Sequence, residues 1–343
     1  MPWGYSSSIL WPVVTHSLIN EPSSIDSRKG RKRALPRVLC IVGPTASGKT
    51  ALGITLAKHF QGEVINADAR QIYKNFEIGT GKPSAGRQGV YQGHKVFMVE
   101  GIPHHLMDVF PPTKICTVAA WRKKTLRYIR DITARGHLPI VVGGTGLYIQ
   151  ALIENYRIPS VPPQPAFRQA MDGKSLSDLV ELLRHTDPEA AKVVDLKNRR
   201  RVIRALEVVT FTGHSFTQWR SKARPVVDAC LIANDRSRDE LYDLISSAVD
   251  KMIKRGWAEE IKKLHARGIP WDAPAMTSIG YREMSAYVRG ECSLEKAKEL
   301  IKRVTRHYAK RQMTWFKRHG TVHWVKNPKE AEEKVQEWLS RQA

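Results

Sequence analysis

A chain of 343 residues, 42% hydrophobic and 26% charged, is long enough to bury a core and to hold two domains, or one large domain with an insertion. No apolar run approaches the roughly eighteen residues that would span a bilayer, so a soluble, cytoplasmic protein with no membrane association is expected. With 56 Lys and Arg against 33 Asp and Glu, the net charge of +23 points to a polyanionic partner, since solubility alone is served at least as well by acidic residues.

The four cysteines, Cys40, Cys116, Cys230 and Cys292, are far apart and show neither C-x-x-C nor Cys/His spacing, which argues against a zinc site or a disulfide framework. Residues 1–36 are rich in Ser and Pro, lack periodicity and carry the basic cluster Arg28, Lys29, Arg31, Lys32 and Arg33; a disordered extension is expected. It does not read as a transit peptide, because the basic residues come late and Glu21 and Asp26 interrupt, and the apolar region of a secretory signal is missing.

Val38 to Val42 is a short β-branched run that reads as a buried strand. It leads directly into Gly43, Pro44, Thr45, Ala46, Ser47, Gly48, Lys49 and Thr50, which fit the G-x-x-x-x-G-K-[ST] phosphate loop. Glycines let backbone N–H groups turn onto phosphate oxygens, the helix expected from Thr50 to His59 offers its positive end, and Lys49 adds a full charge. Thr50 is positioned to hold Mg2+ through its hydroxyl. The motif specifies a diphosphate-bearing ligand without specifying ATP.

Glu63 to Ala67 predicts a second strand ending at Asp68, and His137 to Val142 a third ending at Gly143, Gly144, Thr145 and Gly146. This alternation is that of a parallel α/β sheet, whose ligand crevice lies beyond the carboxyl ends of its strands, so Asp68, Thr145 and the phosphate loop should converge. His104 and His105 are adjacent with no third ligand in register, and are read as structural or substrate-lining. Pro159, Pro162, Pro163 and Pro165 mark a boundary, after which Leu176 to Arg184 and Asn198 to Thr210 read as helices without a strand signal. Trp219 with Arg220, Lys222 and Arg224 is a candidate extension of a nucleic-acid surface, or a boundary turn.

A strand near Val226 to Ile232 returns the chain to the sheet, followed by helices over Glu240 to Arg255, Ala258 to Arg267 and Leu294 to Arg318. On the last of these, Ile301, Val304, Tyr308 and Trp315 share one face, while Arg303, Arg306, Lys310 and Lys317 form a basic stripe with no acid between Glu299 and Glu330. A basic stripe without companion acids suits a nucleic-acid backbone. Ala331, Val335, Trp338 and Leu339 give the tail a helix expected to pack. The expected organisation is an extension (1–36), an α/β core of the P-loop NTPase type (37–155 and 226–325) with a parallel sheet, an inserted all-helical domain (156–225), and a tail helix (326–343).

Together these motifs give the chain a resemblance to the tRNA dimethylallyltransferase (isopentenyltransferase) family. The matching strings are GPTASGKT at 43–50, NADARQIYK at 66–74, IGTGKP at 78–83, HHLMDV at 104–109 and GGTGLYIQAL at 143–152. NRRRVIRALEV at 198–208, SIGYREM at 278–284 and YAKRQMTWFK at 308–317 complete the set. The match runs over about residues 37 to 320. A C-terminal zinc finger of the eukaryotic kind is not expected, which is similar to the bacterial enzymes. The resemblance implies transfer of a dimethylallyl group from dimethylallyl diphosphate to N6 of the adenine 3′ of the anticodon, in tRNAs reading codons that begin with U, by a monomer using Mg2+.

For that chemistry Asp68 is the candidate general base, its alternative role being a Mg2+ ligand, and Lys49 a stabiliser of the departing charge. Thr145 matches the family threonine that hydrogen-bonds the bridging oxygen of the diphosphate. The resemblance also implies tRNA contacts from Asp68, Ala69, Arg70, Gln71 and Thr145, from Arg168, Arg200, Arg201, Val202, Ile203 and Arg204 in the insertion, and from Ser278, Ile279, Gly280, Tyr281, Arg282 and Glu283. Two residues depart from the family pattern: Ala69 stands where serine is usual, and Ala248 where an arginine is usual, with Lys251 or Arg255 as candidate substitutes. Other readings remain open at this point: prenylation of free AMP or ATP, a P-loop kinase or RNA-dependent NTPase, and a non-catalytic RNA-binding descendant.

Overall fold

The computed structural model describes residues 34–155, 158–159, 161–220 and 223–341; the readings of residues 1–33 and of Lys222 fall outside them. The chain enters through β1 (Arg37–Val42), α1 (Lys49–His59) and β2 (Gly62–Asn66), then forms β3 (Arg87–Tyr91), β4 (His94–Val99) and β5 (Ile102–His105). After α2 (Val118–Ala134), β6 (Leu138–Val142) and α3 (Gly146–Ile153) come α4 (Pro165–Asp172), α5 (Leu176–Thr186), α6 (Pro188–Val193), α7 (Arg199–Thr212) and a 3-10 turn at Phe216–Arg220. The last stretch runs β7 (Asp228–Asn234), α8 (Arg238–Lys254), α9 (Trp257–Ala266), α10 (Tyr281–Val288), α11 (Leu294–Lys317), β8 (Val322–Val325) and α12 (Pro328–Ser340).

The eight strands form one sheet in the order β3-β4-β5-β2-β6-β1-β7-β8. From β5 to β8 every pairing is parallel, whereas β4 runs antiparallel to both β3 and β5. The parallel core read from the sequence is present, and the antiparallel β3–β4 edge makes the whole sheet mixed. The edge escaped detection because β3, RQGVY, is polar and mostly exposed; it turns into β4 through Gln92 and Gly93, both at positive φ, which suits the twist of a tight hairpin. Strand β7 begins at Asp228 and β8 was unforeseen, being only four residues long.

Both faces of the central strands are covered, which is why β1 reads as a continuous apolar run. Leu39 and Ile41 face the helices α1 and α12 through Leu52, Leu56, Val335 and Trp338. Val38, Cys40 and Val42 face the opposite layer, which holds Trp121 of α2, Ile149 of α3 and Phe316 of α11. Of the described helices, none is long and apolar enough to cross a membrane. All four cysteines are free thiols.

The amino-terminal ends of β2 and β6 are joined by a buried ionic cluster. Glu63, 1% exposed, accepts from His105 Nε2 and His137 Nδ1, both at 2.7 Å, and from both terminal nitrogens of Arg135. Burial alone would raise the Glu63 carboxyl, but these hydrogen bonds outweigh it and draw the pKa down to about 2. His104, on the other face of β5, is buried against Ile102 O and lowered to about 4 by burial. The histidine pair thus serves packing and hydrogen bonding, and no group of three or more metal-ligating side chains occurs among the described residues.

The chain separates into two compact units, one of residues 34–153 and 225–341 and one comprising 154–224. The second contains only helices among its described residues, packed through Leu179, Leu183, Val202, Ala205 and Leu206. Its fully buried acid, Glu207, accepts from Gln164 N, from Arg168 Nε and Nη2 and from Arg204 Nη1, so the carboxylate is hydrogen-bonded rather than stranded.

Candidate active site

The phosphate loop follows from the sharp exit of β1. Gly43 and Gly48 take φ of 127° and 86°, values that a side chain disfavours, and Ala46 is held at 63°. Gly48 caps α1 without a side-chain hydrogen bond, and the first turn has no acid, so the free N–H groups of the helix start remain available to an anion. Asn234, at the end of β7, donates from Nδ2 to Ser47 O at 2.8 Å and braces the loop from behind. Ser47 Oγ is buried and has no hydrogen-bond partner among the described residues. Lys49 Nζ donates to Pro44 O at 2.5 Å; burial lowers its pKa to about 8, against a smaller upward pull from Asp68.

Asp68 sits two residues beyond β2 in a turn built by Asn66. Asn66 Oδ1 accepts from Asp68 N at 3.0 Å, and its amide donates to Asp68 O and to Leu106 O. Asp68 Oδ1 accepts from Arg70 N at 2.8 Å, while Oδ2 takes no protein hydrogen bond among the described residues. Thr145 Oγ1 accepts from Ala69 N at 3.0 Å and Thr145 N donates to Ala67 O at 3.3 Å, so the turns after β2 and β6 are stitched together. That approach requires Gly143: a Cβ there would lie 2.2 Å from the Ala67 carbonyl carbon.

The carboxyl ends of β2, β6 and β1 thereby bring Asp68, Thr145 and Lys49 to one place. Tyr308, from α11, lies near the same turn; burial first and the charge of Asp68 second push its pKa up to about 12. Trp315 lies against Gly146, where a Cβ would come within 2.6 Å of the indole. The arrangement can hold a diphosphate on the loop, donate a hydrogen bond from the threonine and take up a proton on Asp68.

The remaining candidate residues divide between exposed and packed. Arg70 is exposed, with Nη1 donating to Pro274 O at 3.2 Å, and Gln71 Nε2 reaches Thr80 O and Gly81 O. Ser278, Gly280, Tyr281 and Glu283 are buried and Ile279 half-buried; Glu283 accepts from Gly280 N, and Tyr281 OH donates to Glu260 Oε1 and accepts from Gly79 N. Trp257 fills the space between Gly79 and Gly280, where a Cβ on either would meet it at 2.2 Å, so the strings at 78–83 and 278–284 form one packed unit. Arg282 presents 71% of its side chain to solvent. In the helical unit Arg200 and Arg201 are exposed, Arg168 and Arg204 pair with Glu207, and Val202 and Ile203 are buried in its core.

On α11, Arg303, Lys310 and Lys317 are exposed, but Arg306 leaves the stripe: it stacks over Tyr242 and donates to Ser246 Oγ at 2.7 Å. Tyr242 belongs to the cluster of Leu241, Ile245 and Ala309 that also takes in Ala46 of the phosphate loop. Lys251 and Arg255 are exposed on α8. Sequence reasoning gave no role to Asn66, Asn234 and Gln312 and placed Tyr308 only on one face of the last long helix. The usable signal was the spacing of 308, 312 and 315, which lines one helical face with two polar groups and an indole.

The sequence profile described as IPP transferase matches residues 71–319, and one described as isopentenyl transferase matches 36–101. The chain is 42% identical to the tRNA dimethylallyltransferase of Anoxybacillus flavithermus, over 84% of its own length and 89% of that relative, and 40% identical to that of Thermomicrobium roseum, over 84% and 85%. Its fold is similar to the tRNA isopentenylpyrophosphate transferase of Bacillus halodurans, with TM-score 0.63, 36% identity and coverage of 89% and 96%. A eukaryotic dimethylallyltransferase acting on tRNA superposes with TM-score 0.68 at 27% identity, over 84% of this chain and 73% of that one.

Proposed function

The chain belongs to the tRNA dimethylallyltransferase family, and on that footing we propose that it transfers the dimethylallyl group of dimethylallyl diphosphate to N6 of A37 in tRNA, releasing diphosphate. We assign as its acceptors the tRNAs that read codons beginning with U, and as its setting the cytoplasm, where it acts as a monomer on the anticodon stem-loop. The reading is carried by the convergence of Lys49, Asp68 and Thr145 at the ends of three adjacent strands.

In the reaction the bond between the allylic carbon and the bridging oxygen breaks while the bond from N6 to that carbon forms. The departing diphosphate meets the loop N–H groups and Lys49, and Thr145, whose oxygen already accepts from Ala69 N, has its own proton to offer the bridging oxygen. The N6 lone pair is delocalised into the adenine ring, so removing its proton as the new bond forms assists the step; Asp68 Oδ2 is the acceptor.

A magnesium ion suits this donor set because it binds through one or two protein oxygens plus phosphate oxygens and water. The half-buried Thr50 hydroxyl has no protein hydrogen bond among the described residues and would hold it. Bound there, it would neutralise diphosphate charge. Extruding the adenine from its stack costs roughly a few kcal/mol. Contacts from exposed basic residues such as Arg70, Arg200, Arg201 and Arg282 to RNA phosphates offset that cost.

The test is incubation with unmodified tRNA, dimethylallyl diphosphate and Mg2+, followed by digestion and mass spectrometry. A prenylated adenosine formed in step with diphosphate release is expected. Absence of product with every tRNA carrying A37, or a preference for AMP or ATP as acceptor, would overturn the proposal.

A further inference from the structure

Gln312 is one of the few polar residues of the core, 6% exposed, and both ends of its amide are used on the loops of the active site. Its Oε1 accepts from Thr45 N at 2.9 Å, and its Nε2 donates to Gly144 O at 2.7 Å. The two loops leave adjacent strands: Gly143 N still bonds Ile41 O at 3.1 Å, and beyond that point the side chain of Gln312 bridges them. Gly144 is shaped for this bridge, because a Cβ there would lie 2.3 Å from Gln312 Nε2 and 3.0 Å from Gly43 O. A primary amide supplies an acceptor and a donor at once, which neither a carboxylate nor an ammonium does.

The helix that carries it is fixed at the same place by a neighbour one turn away. Trp315, three residues on, lies under Gly146, so positions 312 and 315 of α11 both address the turn after β6. The bond to Thr45 N also orients the loop peptides, leaving that N–H committed to Gln312 and the amides at the start of α1 free for phosphate.

We infer that Gln312 is a positioning residue that sets the distance between the phosphate loop and Thr145, so that one diphosphate is held by the loop while its bridging oxygen meets the threonine. The inference rests on the proposed prenyl transfer. The loop arm governs donor binding and the Gly144 arm governs the placement of Thr145 in the transition state.

Two variants separate the arms. Gln312→Met keeps the volume and loses both hydrogen bonds, whereas Gln312→Glu keeps an acceptor for Thr45 N but sets a carboxylate oxygen against Gly144 O. With folding checked by thermal melting, kcat and the KM of each substrate are measured. Gln312→Met is expected to raise the donor KM about tenfold and to lower kcat about tenfold or more, as for the loss of one net hydrogen bond in each term. Gln312→Glu is expected to lower kcat to a similar extent with the donor KM within about threefold of wild type, and the KM for tRNA is unchanged in both. Folded variants with wild-type kcat and donor KM, or equal effects on both substrates in both variants, would overturn the inference. Wild-type protein inactive on tRNA would instead sink the proposed function, so the two failures are distinguishable.

Discussion

Donor binding should lose strength as pH rises through the titration of Lys49. Burial lowers this ammonium from 10.5 to about 8, and the nearby Asp68 opposes the shift only in part. If only the charged form attracts diphosphate, about nine in ten free enzyme molecules are competent at pH 7 and about one in ten at pH 9. The donor dissociation constant should therefore rise about tenfold over that interval. Calorimetric titration with dimethylallyl diphosphate and Mg2+ at fixed ionic strength reads it directly. Lys49→Arg, which stays charged, should flatten the dependence even if it binds less well, and Asp68→Asn should move the midpoint below 8 by removing a charge that raises it. In the ligand-free protein the unfolded state binds more protons between pH 8 and 10.5, so stability rises with pH across that window. A flat profile for wild type, or the same slope in Lys49→Arg, would refute this account of the loop.

Asp68→Asn should lower kcat by about 10²- to 10⁴-fold with little change in the donor KM, as for loss of a general base; an unchanged kcat would remove Asp68 from the chemistry. Glu63→Gln should destabilise the protein by about 3 kcal/mol, the equivalent of drawing the carboxyl from 4.5 down to about 2. Its contribution is complete above about pH 4.5 and disappears as pH falls through about 2, so the variant should melt roughly 3–6 °C lower at pH 7 and lose part of the acid sensitivity of wild type. A fall under about 2 °C would count against the cluster as a stabilising unit. Gly143→Ala forces a methyl into the Ala67 backbone and should abolish activity or folding; a fully active variant would show that the two turns need not touch.

The central sheet was legible because β1 and β6 are buried on both faces, which leaves a continuous β-branched run between turn residues. The convergence of Asp68, Thr145 and Lys49 followed from the rule that ligands sit beyond the strand ends, and the strand order β2-β6-β1 makes it geometric. The edge strand β3 was illegible because edge position removes the apolar periodicity, and β5 was illegible because it is only four residues long. Helical spacing identified the inward face of α11 but could not say that Gln312 meets catalytic loops rather than other apolar groups. Spacing alone placed Arg306 in a basic stripe for a nucleic-acid backbone, yet Tyr242 of a helix distant in sequence claims it. In NRRRVIRALEV the basic residues drew attention, while Val202, Ile203 and Leu206 carried the periodicity of a helix core.

The most direct test of the site is made in cells that lack their own tRNA prenyltransferase, complemented with wild type, Lys49→Ala or Asp68→Asn at equal protein levels, with tRNA nucleosides read by mass spectrometry. Prenylated adenosine returning with wild type and staying absent or scarce with either variant is the predicted result. Full restoration by both variants, or none by wild type, would contradict the account.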